Sequence, residues 1–129
     1  MKLYFRKIEQ GEFSGHSGAE TLLIANAQEW HSLWGLHTSI LASPTAAPDV
    51  DFKHEMVLAY FMGDQSSGGF HVRTESVDLD SRLPPLPILK LSVRICTFEG
   101  EPVADVISNP YDIVCVPKME VGGIIVEVL

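Results

Sequence analysis

The chain has 129 residues, 46% hydrophobic and 20% charged, with nine lysines and arginines against seventeen aspartates and glutamates for a net charge of −8. That length bounds a single domain, 1–129, able to bury a core without metal or disulfide staples. The acidic balance argues against nucleic acid, whose phosphates require a basic surface, and against an anionic membrane face.

Lys2 to Glu9 mixes aromatic and β-branched residues with charges and reads as a strand. It is too polar for a signal-peptide core, and no run approaches the ~18 apolar residues of a membrane span, so the chain as given reads as cytoplasmic, or else as a mature or trimmed domain. Gln10 to Gly18 carries three glycines and two serines and reads as a loop. Glu20 to Ala25 is a short strand.

Asn26 opens a helix predicted over 27–41. Asparagine is a favoured N-cap, and Glu29 follows three residues later as in a capping box. Trp30, Leu33, Trp34, His37 and Leu41 recur at spacings of three and four, one stripe of a helix. Pro44 disfavours helical geometry at Ser43, and Ser43 to Asp51 reads as a linker across the surface.

From Met56 the pattern is β. Met56 to Met62 is a nearly continuous apolar run, which suits a strand buried on both faces. Phe70 to Val77 begins with period-two alternation, Asp78 to Pro87 reads as a turn region with three prolines, and Ile88 to Phe98 alternates cleanly. Gly100 to Asn109 is a connection; Tyr111 to Val116 and Ile124 to Leu129 are strands around a Gly-Gly turn. The pattern predicts an α+β domain of mainly antiparallel β: a small β-sandwich or partly open barrel, with the helix packing its Trp30–Trp34 stripe on one side.

Chemistry-bearing patterns are sparse. HExxH is absent, His31 and His37 fall on different sides of the helix, and no Cys or His spacing suggests a metal, so no metal or cofactor is expected. Gly-x-Ser-x-Gly does not occur, and Asp64-Gln-Ser-Ser-Gly-Gly lies between strand and strand, where neither a nucleophile elbow nor a phosphate loop belongs. Cys96 and Cys115, nineteen positions apart with no CxxC, read as reduced thiols in strands, with a cross-strand disulfide as the alternative.

Five ordered words carry a resemblance: Trp30-x-x-x-Trp34, Val50-Asp-Phe-Lys53, Met56-Val-Leu-Ala-Tyr-Phe-Met-Gly63, Ser66-Ser-Gly-Gly-Phe70 and Asn109-Pro-Tyr-Asp-Ile-Val-Cys-Val-Pro-Lys118. In that order the chain resembles the C-terminal domain of PrcB-type proteins, named after the protease complex subunit PrcB. Gln65 stands where that family often has proline, and Phe70 where it often has tyrosine. The resemblance implies a non-catalytic accessory protein whose partner is a protease, stabilised or regulated by it.

The residues point to loop 64–71 as the site. Gly68-Gly69 gives the backbone freedom and leaves it without side-chain cover, so Asp64, Gln65, Ser66, Ser67, Gly68, Gly69, Phe70 and His71 form the expected protein-binding surface, and Gly68→Trp is expected to abolish binding with the fold intact. The competing structural reading is a tight turn or β-bulge at Gly68-Gly69. A second functional reading is a small-molecule or minor hydrolytic site assembled from His54, His71, Asp64 and Ser66 at one end of the sheet.

Overall fold

A computed structural model describes residues 1–82, 85–97 and 106–129. The expected turn positions 83–84, Phe98 at the end of its strand, and 100–105 of the connection lie outside the described residues.

The described elements run β1 (Lys2–Leu3), β2 (Arg6–Gly11), β3 (Glu20–Ile24), α1 (Ala27–His37), a turn of 3-10 helix (Thr38–Ile40), β4 (Glu55–Phe61), β5 (Phe70–Asp80), β6 (Ile88–Thr97), β7 (Tyr111–Pro117) and β8 (Gly123–Val128). They form two four-stranded sheets, an outer one in the order β1-β5-β6-β8 and an inner one in the order β2-β7-β4-β3. Neither closes on itself, so the fold is an α+β sandwich and not a barrel.

The inner sheet is the middle of three layers, which explains the apolar runs of β4 and β7. Val57, Ala59, Phe61, Ile113 and Cys115 face α1 and pack with Trp30, Leu33 and Trp34. Met56, Leu58, Val114 and Val116 face the other way and pack with Val72, Val77, Leu89, Leu91 and Val93 of the outer sheet. Successive strand residues point to opposite faces, so a strand between two apolar layers needs apolar residues at every position. β6 has its outer face in solvent and therefore alternates.

The helix begins as expected, with Asn26 Oδ1 accepting from Glu29 N at 2.9 Å. It ends earlier than expected. Thr38 Oγ1 donates back to Trp34 O, the chain tightens into the 3-10 turn, and Leu41 is 47% exposed instead of continuing the buried stripe. The linker is fastened to the helix through two indoles: Trp30 Nε1 donates to Pro48 O and Trp34 Nε1 to Thr45 O, which satisfies both donors of these buried rings.

Three features of the strands also differ from expectation. Lys2 to Glu9 is not one strand: β1 pairs with β5 in the outer sheet and β2 with β7 in the inner one, so the chain changes sheets at Tyr4–Phe5. β5 continues through Asp78 to Asp80, positions read as turn, because their charges suit the solvent face opposite Lys90 and Ile88. β8 pairs parallel with β6; a parallel pair needs a crossover, and β7 supplies it by passing through the other sheet.

Cys96 and Cys115 are free. Cys115 lies in the core beneath α1, whereas Cys96 pairs opposite His71 in the outer sheet. Burial pushes the Cys115 thiol up to about 11, and only a thiolate reacts readily. Titration with a thiol reagent at pH 8 is expected to modify one thiol per folded chain, at Cys96, and the second only after unfolding. Two equally fast thiols would contradict this placement.

Candidate functional site

Loop 64–69 joins β4 of the inner sheet to β5 of the outer one, Phe70 and His71 being the first two residues of β5, and its backbone is not presented bare. Gln65 and Ser108 exchange backbone hydrogen bonds at 2.7 and 3.0 Å, and Ser108 Oγ donates to Ser67 O. Gly69, at φ +90°, donates its N–H to Glu12 Oε1 at 2.8 Å. Asn109 Nδ2 donates to Asp64 Oδ1, while Asn109 Oδ1 accepts from Ser14 N at 2.6 Å. Gly68 is buried; Asp64 and Ser66 are exposed, and Gln65, Ser67, Phe70 and His71 are half-buried. A tryptophan at Gly68 would therefore disturb the fold, and Ser66→Trp is the proper probe of this loop.

The ordered words acquire a structural account from these bonds. Gly63 to Phe70 and Ser108 to Tyr111 clasp one end of the central β4–β7 pair. Asp51 to His54 and Pro117–Lys118 clasp the other, where Lys118 N donates to His54 O at 2.9 Å and Lys118 Nζ to Phe52 O. Asp51 shapes that turn, accepting from Lys53 N at 3.1 Å and holding His54 Nδ1 at 2.6 Å. Four of the five words span or flank these two paired strands, and Trp30-x-x-x-Trp34 lies on α1.

The same geometry separates the second residue set. His54 precedes β4, while Asp64 and Ser66 follow it. Seven residues of strand intervene, or roughly 23 Å at ~3.3 Å per residue. His54 therefore does not meet Asp64 or Ser66. His71 lies near their end of the sheet, opposite Cys96.

A different constellation does assemble where the helix ends. His37, 2% exposed, places Nδ1 2.7 Å from Ser14 Oγ and Nε2 2.8 Å from Glu9 Oε1. The Tyr111 hydroxyl donates to the same Glu9 oxygen, and its ring meets His37 edge-on with centroids 4.4 Å apart. Burial, reinforced by the neighbouring Glu9 carboxylate, pushes the Tyr111 phenol far above its ordinary range, so it remains a donor. His16 stacks on Phe61 at 4.0 Å and holds Glu20 at 2.9 Å.

The connectivity Ser14–His37–Glu9 is that of a serine–histidine–carboxylate chain, but a nucleophile must reach a substrate beside oxyanion donors. Ser14 is 3% exposed, and its Oγ already accepts from His16 N at 3.0 Å. The set secures loop 12–16 against the helix, with Gly15 N donating to His37 O at 2.9 Å. One signal of it is visible in sequence: His37 shares the apolar stripe with Trp30, Leu33 and Trp34, and a histidine on such a stripe needs buried partners.

A recess runs between α1 and β3. It measures about 720 Å³ and is lined by Leu22, Ile24, Leu33 and Leu36 together with the polar Asn26, Gln28, Ser32 and Glu29; Glu20, at the start of β3, stands outside it. β3 is an edge strand in continuous register with β4 over Glu20–Ile24. Among the described residues it has neither bulge nor proline, and it carries no lysine. These are the usual guards of an open edge. The β2 edge, by contrast, is bulged between Lys7 and Glu9.

Among the described residues, no group of three or more histidine, cysteine, aspartate or glutamate side chains is placed to hold a metal ion, and no helix is long and apolar enough to cross a membrane. Comparison with protein-family models, with curated proteins and with solved structures finds no match to this chain.

Proposed function

We propose that this domain is a non-catalytic protein-binding module that accepts an extended segment of a partner protein along β3. The observation that carries the reading is the β3 edge, which among the described residues has no bulge, proline or lysine, beside a recess under α1 whose lining is half apolar and half polar. An added strand would hydrogen-bond along the edge of β3 away from β4, and its alternate side chains would enter the recess, the mode of β-augmentation. Glu29 in the recess wall and Glu20 at the start of the edge strand, on a chain of net charge −8, favour a segment that alternates apolar and basic residues. The words that resemble PrcB-type proteins support the same class of function, with a protease complex as one partner to test.

A displayed random peptide library panned against the domain tests this reading. Enriched peptides are expected to alternate apolar and basic residues. Ser32→Trp and Leu36→Lys, both at exposed helix positions lining the recess, should weaken them about tenfold, ~1.4 kcal/mol. Ser66→Trp in segment 64–71 should leave affinity unchanged. The reverse pattern would move the site to segment 64–71, and the absence of any enriched peptide would remove the proposal.

A further inference from the structure

A second recess lies at the C-terminal end of α1, apart from the β3 edge. It measures about 90 Å³ and has Glu9, His37 and Tyr111 among its lining residues. Thr38, Thr45, Phe13, Ile40 and Leu41 also line it, and the last three are 49%, 54% and 47% exposed. Three large apolar side chains are thus left half in solvent around one small opening whose lining includes a carboxylate.

The carboxylate is held in an unsymmetrical way. Glu9 Oε1 accepts from both His37 Nε2 and the Tyr111 hydroxyl, and the two donors are only 2% and 5% exposed. Ser14 at His37 Nδ1 fixes the ring, so the tautomer that donates to Glu9 leaves Nδ1 to accept from the serine hydroxyl. Glu9 Oε2 makes no hydrogen bond among the described residues, although the side chain is 39% exposed. None of the residues lining the recess is lysine or arginine.

We propose that this recess binds a primary alkylammonium group, with the ammonium on Glu9 Oε2 and its methylenes between Phe13, Ile40 and Leu41. The volume equals roughly three water molecules at ~30 Å³ each, enough for an ammonium and a short aliphatic stem. The choice of ammonium over guanidinium follows from the occupied oxygen. Arginine pairs best with a carboxylate through both oxygens at once, whereas a lysine-type cation is a compact point charge that needs one. With Oε1 already taken by two donors, the two-oxygen fork is blocked. The group can come from a free amine or from a lysine side chain.

The test is a titration followed by backbone amide NMR, using n-butylammonium chloride and a blocked Gly-Lys-Gly peptide, with the Nε-acetylated and arginine forms of the peptide as comparators. At least one of the two amines is expected to shift the resonances of Glu9, Phe13 and Leu41. If only the free amine does so, the source is a small molecule; if only the peptide does, it is a protein lysine. The acetylated and arginine peptides should bind at least about tenfold more weakly. Glu9→Gln should cost about tenfold, and Leu41→Lys, a rim variant that leaves the Glu9 network intact, should cost a similar factor by setting a resident ammonium at the mouth. Equal binding of the acetylated peptide, full affinity in Glu9→Gln and Leu41→Lys, or no shift at these residues with either amine would overturn the assignment.

Discussion

Replacing Lys7 with methionine is expected to destabilise the domain by about 3 kcal/mol, the low end of the ~3–5 kcal/mol lost when one partner of a buried ion pair is removed. Asp112 is fully buried between the sheets, with Lys7 Nζ 2.7 Å from its carboxylate and Thr74 N donating to Oδ2 at 2.5 Å. β1 pairs with β5 only at Val77 and Asp78, so at Thr74 this edge of β5 lies beyond β1 and its amide is met by Asp112 from the other sheet. Removing the ammonium leaves an unpaired carboxylate in the core. Lys7 is itself 36% exposed, so water can relieve part of the cost, which is why the low end is expected. Urea unfolding measures it. The double variant Lys7→Met/Asp112→Asn should recover roughly half of the loss, because the amide still accepts from Thr74 without carrying charge. A loss below about 0.5 kcal/mol for Lys7→Met would mean the pair behaves as an ordinary surface salt bridge.

Gly15→Ala should be at least as damaging. A Cβ at Gly15 would lie 2.0 Å from Leu36 O and 2.2 Å from Ser39 Oγ. The carbonyl belongs to the helix end and cannot withdraw, so loop 12–16 must lift, breaking the bond from Gly15 N to His37 O and releasing Ser14 from His37. Overpacking of ~1–3 kcal/mol together with a lost buried hydrogen bond of ~1–3 kcal/mol gives an expected cost of about 3 kcal/mol or more. Gly35→Ala is the internal contrast. It sits at an exposed helix position with nothing within 4 Å of the added Cβ, and it should stabilise by ~0.5–1 kcal/mol through helix propensity. Thermal or urea unfolding of the two variants side by side checks both signs.

The layered fold was legible where a residue's pattern reports its surroundings. The unbroken apolar run of β4 implied burial on both faces, and the middle layer is where β4 lies. The alternation of β6 implied one wet face. The Trp30–Trp34 stripe implied a helix against a sheet, and Asn26 implied its start. What stayed illegible depended on distant partners. The sheet change at Tyr4–Phe5 carries no turn residue, and Asp78 and Asp80 look like turn residues until Lys90 and Arg82 are seen beside them. The loop at Gly68-Gly69 invited a reading as bare backbone because its partners, Glu12 and Ser108, lie 57 and 41 positions away from Gly69 and Ser67. The Glu9–His37–Tyr111 set draws on β2, α1 and β7 and left one trace in the sequence, a histidine on an apolar stripe.

Amide hydrogen exchange of the domain with and without its tightest-binding enriched peptide addresses the proposed function most directly. Strand addition at the edge predicts slowed exchange within Glu20–Ile24 and, through the filled recess, in the part of α1 that lines it, with segment 64–71 unchanged. Protection centred on residues 64–71, with β3 exchanging as in the free domain, would contradict it.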